Sequence, residues 1–257
     1  MTSYIGYNNL VKSGTLMGYT TAGATGYEEE NAQSWKTSSW WSTGSIGTSA
    51  YYIDMGAAVD IDSFGLAGHN LGDCGTTFLY VQYSATGLFA GEQVNFYTPA
   101  SVTNNNVIFK KQASVSARYW AFLIVTTTDV AYVGNFFLGE ALSLERGLPE
   151  GFSPANLNRD RKIFNNMSEG GNYLGRSLMR KGSKIDINQP KITRAWIDAN
   201  WATLADSIEL YPFYFVWDYE NYPLETAYCM ANNITYPAYS DTIYLDFNIS
   251  CTALYDV

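Results

Sequence analysis

Residues 51–87 read YYIDMGAAVDIDSFGLAGHNLGDCGTTFLYVQYSATG, and the pattern of this stretch decides the fold. Two segments, 51–55 and 78–83, alternate apolar and polar positions with the β-rich residues and period of two that mark half-buried strands. A third apolar segment, 59–67, runs into the turn-rich Gly68-His69-Asn70-Leu71-Gly72-Asp73. The stretch therefore predicts a strand, a strand, a loop and a strand.

Working outward, residues 1–50 are poor in charge and rich in Gly, Ser and Thr, with Glu28-Glu29-Glu30 as a lone charge run. Trp35, Trp40 and Trp41 are spaced for a strand and turn. Core or rim packing accounts for such a cluster, and an exposed indole would alternatively stack on the C–H face of a sugar. Downstream, 93–97, 107–109 and 119–127 read as further strands, the last apolar on both sides and so expected at the centre of a sheet. Short strands punctuated by turns, without helical period, point to a β-sandwich.

These segments resemble the discoidin-like, galactose-binding-like β-sandwich domains, in the variant common among structural proteins of tailed bacteriophages. The resemblance rests on Ile53-Asp54-Met55-Gly56, Gly65-Leu66-Ala67-Gly68-His69-Asn70-Leu71-Gly72 and Gln82-Tyr83-Ser84-Ala85-Thr86-Gly87. Ser34-Trp35-Lys36-Thr37-Ser38-Ser39-Trp40, Arg118-Tyr119-Trp120-Ala121-Phe122 and Gly134-Asn135-Phe136-Phe137-Leu138-Gly139 fit the same pattern. It covers residues 1–145 and implies a jelly-roll sandwich in which His69 braces its loop by hydrogen bonds.

A boundary is expected where Arg146-Gly147-Leu148-Pro149-Glu150-Gly151-Phe152-Ser153-Pro154 brings two prolines and two glycines together. Beyond it, Ser168-Glu169-Gly170-Gly171 reads as a turn leading into a strand, without the spacing of a phosphate-binding loop. One helix is predicted: Thr193 is its N-cap, and Ile197, Trp201, Leu204, Ala205 and Ile208 form an apolar stripe. Phe213-Tyr214-Phe215-Val216-Trp217 reads as a buried strand with 222–229 as its neighbour, and 242–249 as a strand with Ile243, Leu245, Phe247 and Ile249 inward. The expected fold is mainly β, a discoidin-like sandwich over 1–145 followed by a smaller α+β domain over 146–257 with one amphipathic helix on a sheet. This second half is similar to small phage tail and tail-tip proteins that build rings, through Gly175-Arg176-Ser177 and Pro212-Phe213-Tyr214-Phe215-Val216-Trp217-Asp218.

Composition narrows the function. Aromatics are 16% of the 257 residues, with 21 tyrosines, and charged residues are only 15%, against about 25% in ordinary globular domains. No apolar run is long enough to span a bilayer, and residues 1–14 lack the apolar core of a secretory signal. Membrane insertion is not expected, and a virion made in the host cytoplasm is the expected location. The net charge of -9 is unevenly placed. Residues 146–194 hold ten Lys or Arg against four acids, whereas 195–257 hold nine acids and no Lys or Arg. Neighbouring strands could match these charges within one chain, or copies could match them head to tail. The candidate interface residues are Arg176, Arg180 and Lys181 facing Asp218 and Glu220. An acidic chain of pI near 4.6 is a poor nucleic-acid binder.

The inventory for catalysis is thin. His69 is the single histidine, no G-x-S-x-G elbow occurs, and no carboxylate pair can be singled out. Asp54, Asp60, Asp62 and Asp73 cluster without a calcium-loop spacing, so neither a metal nor another cofactor is expected. Cys74, Cys229 and Cys251 have no metal-ligand spacing and read as buried thiols, a Cys229–Cys251 bridge being the alternative. The expected function is a non-enzymatic virion protein, a tail ring, adaptor or tail-tip component that binds its own copies and other tail proteins. The alternative is an adhesin for host-surface glycans, with Trp40, Trp41 and Tyr51 lining a sugar site beside the His69 loop.

Overall fold

Residues predicted as two strands before the His69 turn form one, running unbroken from Gly47 to His69. The computed structural model describes residues 2–17, 26–160, 162–180 and 182–255, leaving aside the side chains of Pro99, Met179 and Arg180. In chain order the first part comprises β1 (Tyr4–Gly6), β2 (Thr15–Leu16), β3 (Trp41–Ser42), β4 (Gly47–His69), β5 (Phe78–Ser84), β6 (Val94–Ala100), β7 (Ile108–Thr126), β8 (Tyr132–Gly139) and β9 (Leu142–Ser143). The rest comprises β10 (Lys162–Met167), β11 (Tyr173–Arg180), β12 (Ser183–Thr193), α1 (Arg194–Ile208), β13 (Phe213–Val216), β14 (Thr226–Tyr239) and β15 (Tyr244–Leu254).

The sandwich is built on β4 and β7, which pair antiparallel from Gly47↔Thr126 to Leu66↔Ile108. Their register shifts between Asp54 and Val59, where residues 55–58 bulge out opposite Arg118. Gly56 takes φ +77 there, a region open to glycine without strain, and its amide donates to Asp54 Oδ1 at 2.8 Å. Past the bulge the ribbon changes layer. One half of β7 pairs with β5, one half of β4 pairs with β8, and the strand order is β3-β8-β4-β7-β5-β6. Tyr51, Trp41, Phe122 and Phe136 fill the space between, with Phe122 and Phe136 stacked at 4.3 Å.

A six-stranded antiparallel sheet, in the order β12-β15-β14-β13-β1-β9, forms the second unit. It draws β1 and β9 from either side of the sandwich in the chain. One face carries α1 as expected: Ile197, Trp201, Leu204, Ala205 and Ile208 are all buried, against Ile187, Phe213, Phe247 and Ile249. Thr193 caps the helix, its hydroxyl accepting from the Trp196 amide at 3.3 Å. Ile243 departs from expectation at 66% exposure, because β15 begins one residue after it. Cys74, Cys229 and Cys251 are buried free thiols.

The opposite face of this sheet packs on the sandwich through Tyr214, Val216 and Tyr228, which meet Ala67, Val107, Phe109 and Phe137. Tyr214 lies flat against β4 at Gly65, where an added Cβ would fall 2.8 Å from its ring. The glycine is what lets the two sheets approach.

Candidate functional site

The aromatic residues that the alternative reading gives to a sugar site are mostly core, in keeping with core packing of the tryptophan cluster. Trp41 and Tyr51 are wholly buried, with ring centroids 5.4 Å apart, and the Tyr51 hydroxyl donates to the Glu29 carbonyl at 3.0 Å. His69 is only 2% exposed and its Nδ1 accepts from the Leu71 amide at 3.4 Å, so it braces the turn. Burial holds its pKa down at about 4, outweighing the Asn106 backbone, which pulls the other way. A site on these three is therefore corrected: no ligand face is left on them. Trp40 alone is partly exposed, stacked on Tyr27 at 6.4 Å and beside Tyr132.

A better-formed site lies where the sandwich meets the second sheet. Loop residues Trp35 and Thr37 line, together with Asn156, Arg159, Met230 and Thr252, a groove of about 590 Å³, within the range usual for small-ligand sites. Trp35 is 40% exposed, although its backbone is held firmly. The Tyr228 hydroxyl donates to the Trp35 carbonyl at 3.0 Å, and Asn135 Nδ2 donates to the adjoining Ser34 carbonyl at 2.7 Å. The backbone that carries the indole is thus held at the groove.

Asn156 supplies the polar side. Its Nδ2 donates to Glu225 Oε1 at 2.9 Å, and Glu225 Oε2 accepts from Trp217 Nε1 at 2.6 Å. That chain fixes the amide, while Asn156 Oδ1 is buried with no hydrogen-bond partner. A buried acceptor without a partner costs about 1–3 kcal/mol, which a ligand hydroxyl or a water would recover. Arg159, exposed and bridged through its backbone to Ser183, adds a cation at the rim. An indole together with an amide acceptor and a guanidinium suits a polyhydroxylated ring, whose apolar face and hydroxyl edge need separate partners.

Trp35 belonged to the tryptophan cluster noted in the sequence, but its partners come from a segment more than a hundred residues away. No spacing signal could have joined them.

The expected interface residues divide. Arg176 is exposed on β11, the Arg180 side chain is not described, and Lys181 lies outside the described residues. Glu220 is exposed and accepts from the Thr2 hydroxyl at 3.2 Å. Asp218 is corrected: it is 4% exposed, and its carboxylate accepts from Asn221 Nδ2 at 2.8 Å and from the Asn221 amide. It closes a turn and cannot serve as a surface counter-charge.

Three of the four aspartates near the sandwich turns are spent on structure. Asp54 receives Arg118 Nε and Nη2 at 2.7 Å each, Asp62 pairs with Lys111, and Asp73 accepts from Asn105. Among the described residues no group of three or more His, Cys, Asp or Glu could hold a metal, and no helix is long and apolar enough to cross a membrane.

No protein-family model matches the chain, and no curated protein matches it. Solved structures that resemble it include chitosan-binding module 1 from a chitosanase/glucanase of Paenibacillus sp. IK-5. That module aligns with TM-score 0.44 and 15% identity over 52% of this chain and 99% of its own. The CBM32-1 module from a family 31 glycoside hydrolase of Clostridium perfringens aligns with TM-score 0.42 and 18% identity over 52% and 99%. A GH29 fucosidase of Ruminococcus gnavus aligns with TM-score 0.44 and 14% identity over 52% of this chain and 27% of its own.

Proposed function

We propose that this chain is a non-enzymatic saccharide-binding protein whose site is the groove between sandwich and second sheet. The observation that carries the reading is one groove lined both by the exposed, backbone-clamped Trp35 and by Asn156, whose Oδ1 has no partner. The pyranose ring lies on the indole, a hydroxyl donates to Asn156, and Arg159 favours a sugar bearing a carboxylate or a dense hydroxyl edge. The test is a glycan array with the full chain, followed by calorimetry on any hit. Saturable binding that Trp35→Ala abolishes supports the reading, and a chain that retains no saccharide overturns it.

A second reading, assembly into the tail or neck of a phage virion as a ring, adaptor or tip component, draws support from a different feature. Both strands of the β10–β11 hairpin are solvent-exposed where their side chains are described, as an element that docks on a neighbour would be. Immunogold labelling of particles tests it: label confined to one level of the tail favours assembly. Unlabelled particles with an accessible epitope rule it out.

A further inference from the structure

Strands β10 and β11 form a two-stranded sheet hydrogen-bonded to no other described strand. Every residue of β10 and every described side chain of β11 is exposed. A hairpin of this size is marginal in water by itself, and this one displays Ile163, Phe164, Met167, Tyr173, Leu174 and Leu178 at 42–79% exposure. Cross-strand partners share a face. Ile163 lies opposite Leu178, Asn165 opposite Arg176 and Met167 opposite Tyr173, and Arg176 Nε donates to Asn165 Oδ1 at 2.8 Å. One face of the hairpin therefore carries four apolar side chains around a central guanidinium.

A surface of the opposite charge stands elsewhere on the same chain. Within the 195–257 stretch, which has no Lys or Arg, the last turns of α1 expose Asp206 and Glu209. Leu210 and Tyr236, at 68% and 56% exposure, lie beside them, and the Tyr236 hydroxyl donates to Glu209 Oε1 at 2.5 Å. The negative end of the helix dipole adds to the attraction for a cation there. The described side chains of β10 and β11 are open to solvent in their own chain.

We infer that the β10–β11 hairpin of one copy docks on the Asp206–Glu209–Leu210–Tyr236 patch of a second copy. Arg176 meets the two carboxylates, and the apolar residues around it cover Leu210 and Tyr236. The two surfaces differ, so the contact is head to tail, and repetition yields a closed ring or a filament. The inference deepens the assembly reading and is independent of the saccharide groove.

Sedimentation velocity of the full chain over a roughly hundred-fold concentration range tests it. The expected result is association that weakens with salt and falls about tenfold or more in Arg176→Glu. An Asp206→Lys, Glu209→Lys double variant should fail likewise, and mixing it with Arg176→Glu should restore association through the exchanged charges. Thermal unfolding of each variant establishes that it is folded. A wild-type chain that stays monomeric throughout, or an Arg176→Glu chain that associates like wild type, overturns the inference. Particle labelling would still decide the assembly reading separately.

Discussion

The hydroxyl of Tyr214, on β13, donates to Asn135 Oδ1 on β8 at 2.9 Å, and both residues are buried. This bond ties the second sheet to the sandwich, and the same Asn135 reaches on to the loop that carries Trp35. Tyr214→Phe keeps the ring stacked near Phe109 but leaves the amide oxygen unpaired. The expected loss is about 1–3 kcal/mol of unfolding free energy, measured by urea titration, with the saccharide groove preserved.

The groove makes its own demand on Asn156. Asn156→Ala removes the unpartnered oxygen and frees Glu225 of a donor, so the apo protein should change little in stability while sugar affinity falls about tenfold. Calorimetry on wild type and variant reads both quantities against each other.

His69 imposes a pH dependence. Its pKa in the fold, about 4, lies below the ordinary 6.5, so the unfolded chain binds a proton that the native chain refuses. Stability is complete above pH 6.5 and is lost as pH falls from 6.5 towards 4, by an amount on the order of 3 kcal/mol. His69→Gln retains an acceptor for the Leu71 amide and cannot titrate. Melting curves at stepped pH should find the variant less sensitive than wild type over that window.

Thr193 holds two elements at once. Its hydroxyl accepts from the Trp196 amide and donates to Glu145 Oε1 at 2.7 Å, and its own amide donates to Glu145 Oε2. Thr193→Ala should cost about 1 kcal/mol or slightly more, and hydrogen exchange should rise first in the opening turn of α1.

The helix was legible because its apolar stripe and Thr193 cap act locally, and the structure realises both residue for residue. The continuity of β4 was not, since Gly56-Ala57-Ala58 breaks the period of two at the bulge and imitates a loop between strands. Core packing, expected for the tryptophan cluster, holds for Trp41, and the alternative sugar site on Trp41 and Tyr51 fails because both are wholly buried. An aromatic residue in an alternating strand carries no mark of which face is inward, and here the sandwich core needed their volume. β1 escaped notice because Tyr4-Ile5-Gly6 is too short to show a period. The groove joins Trp35 to Asn156 only through the meeting of two sheets, so it belongs to tertiary structure alone.

The placement of β1 sets an order on biosynthesis. Tyr4 pairs with Val216, which follows more than two hundred residues later, an interval on the order of ten seconds or more at ordinary elongation rates. Pairing with β9 becomes available sooner but covers only two residues. The strands of the sandwich can therefore pair before β13 exists, while β1 has only β9 as a partner. The six-stranded sheet cannot be completed until β13 has been made and has captured β1.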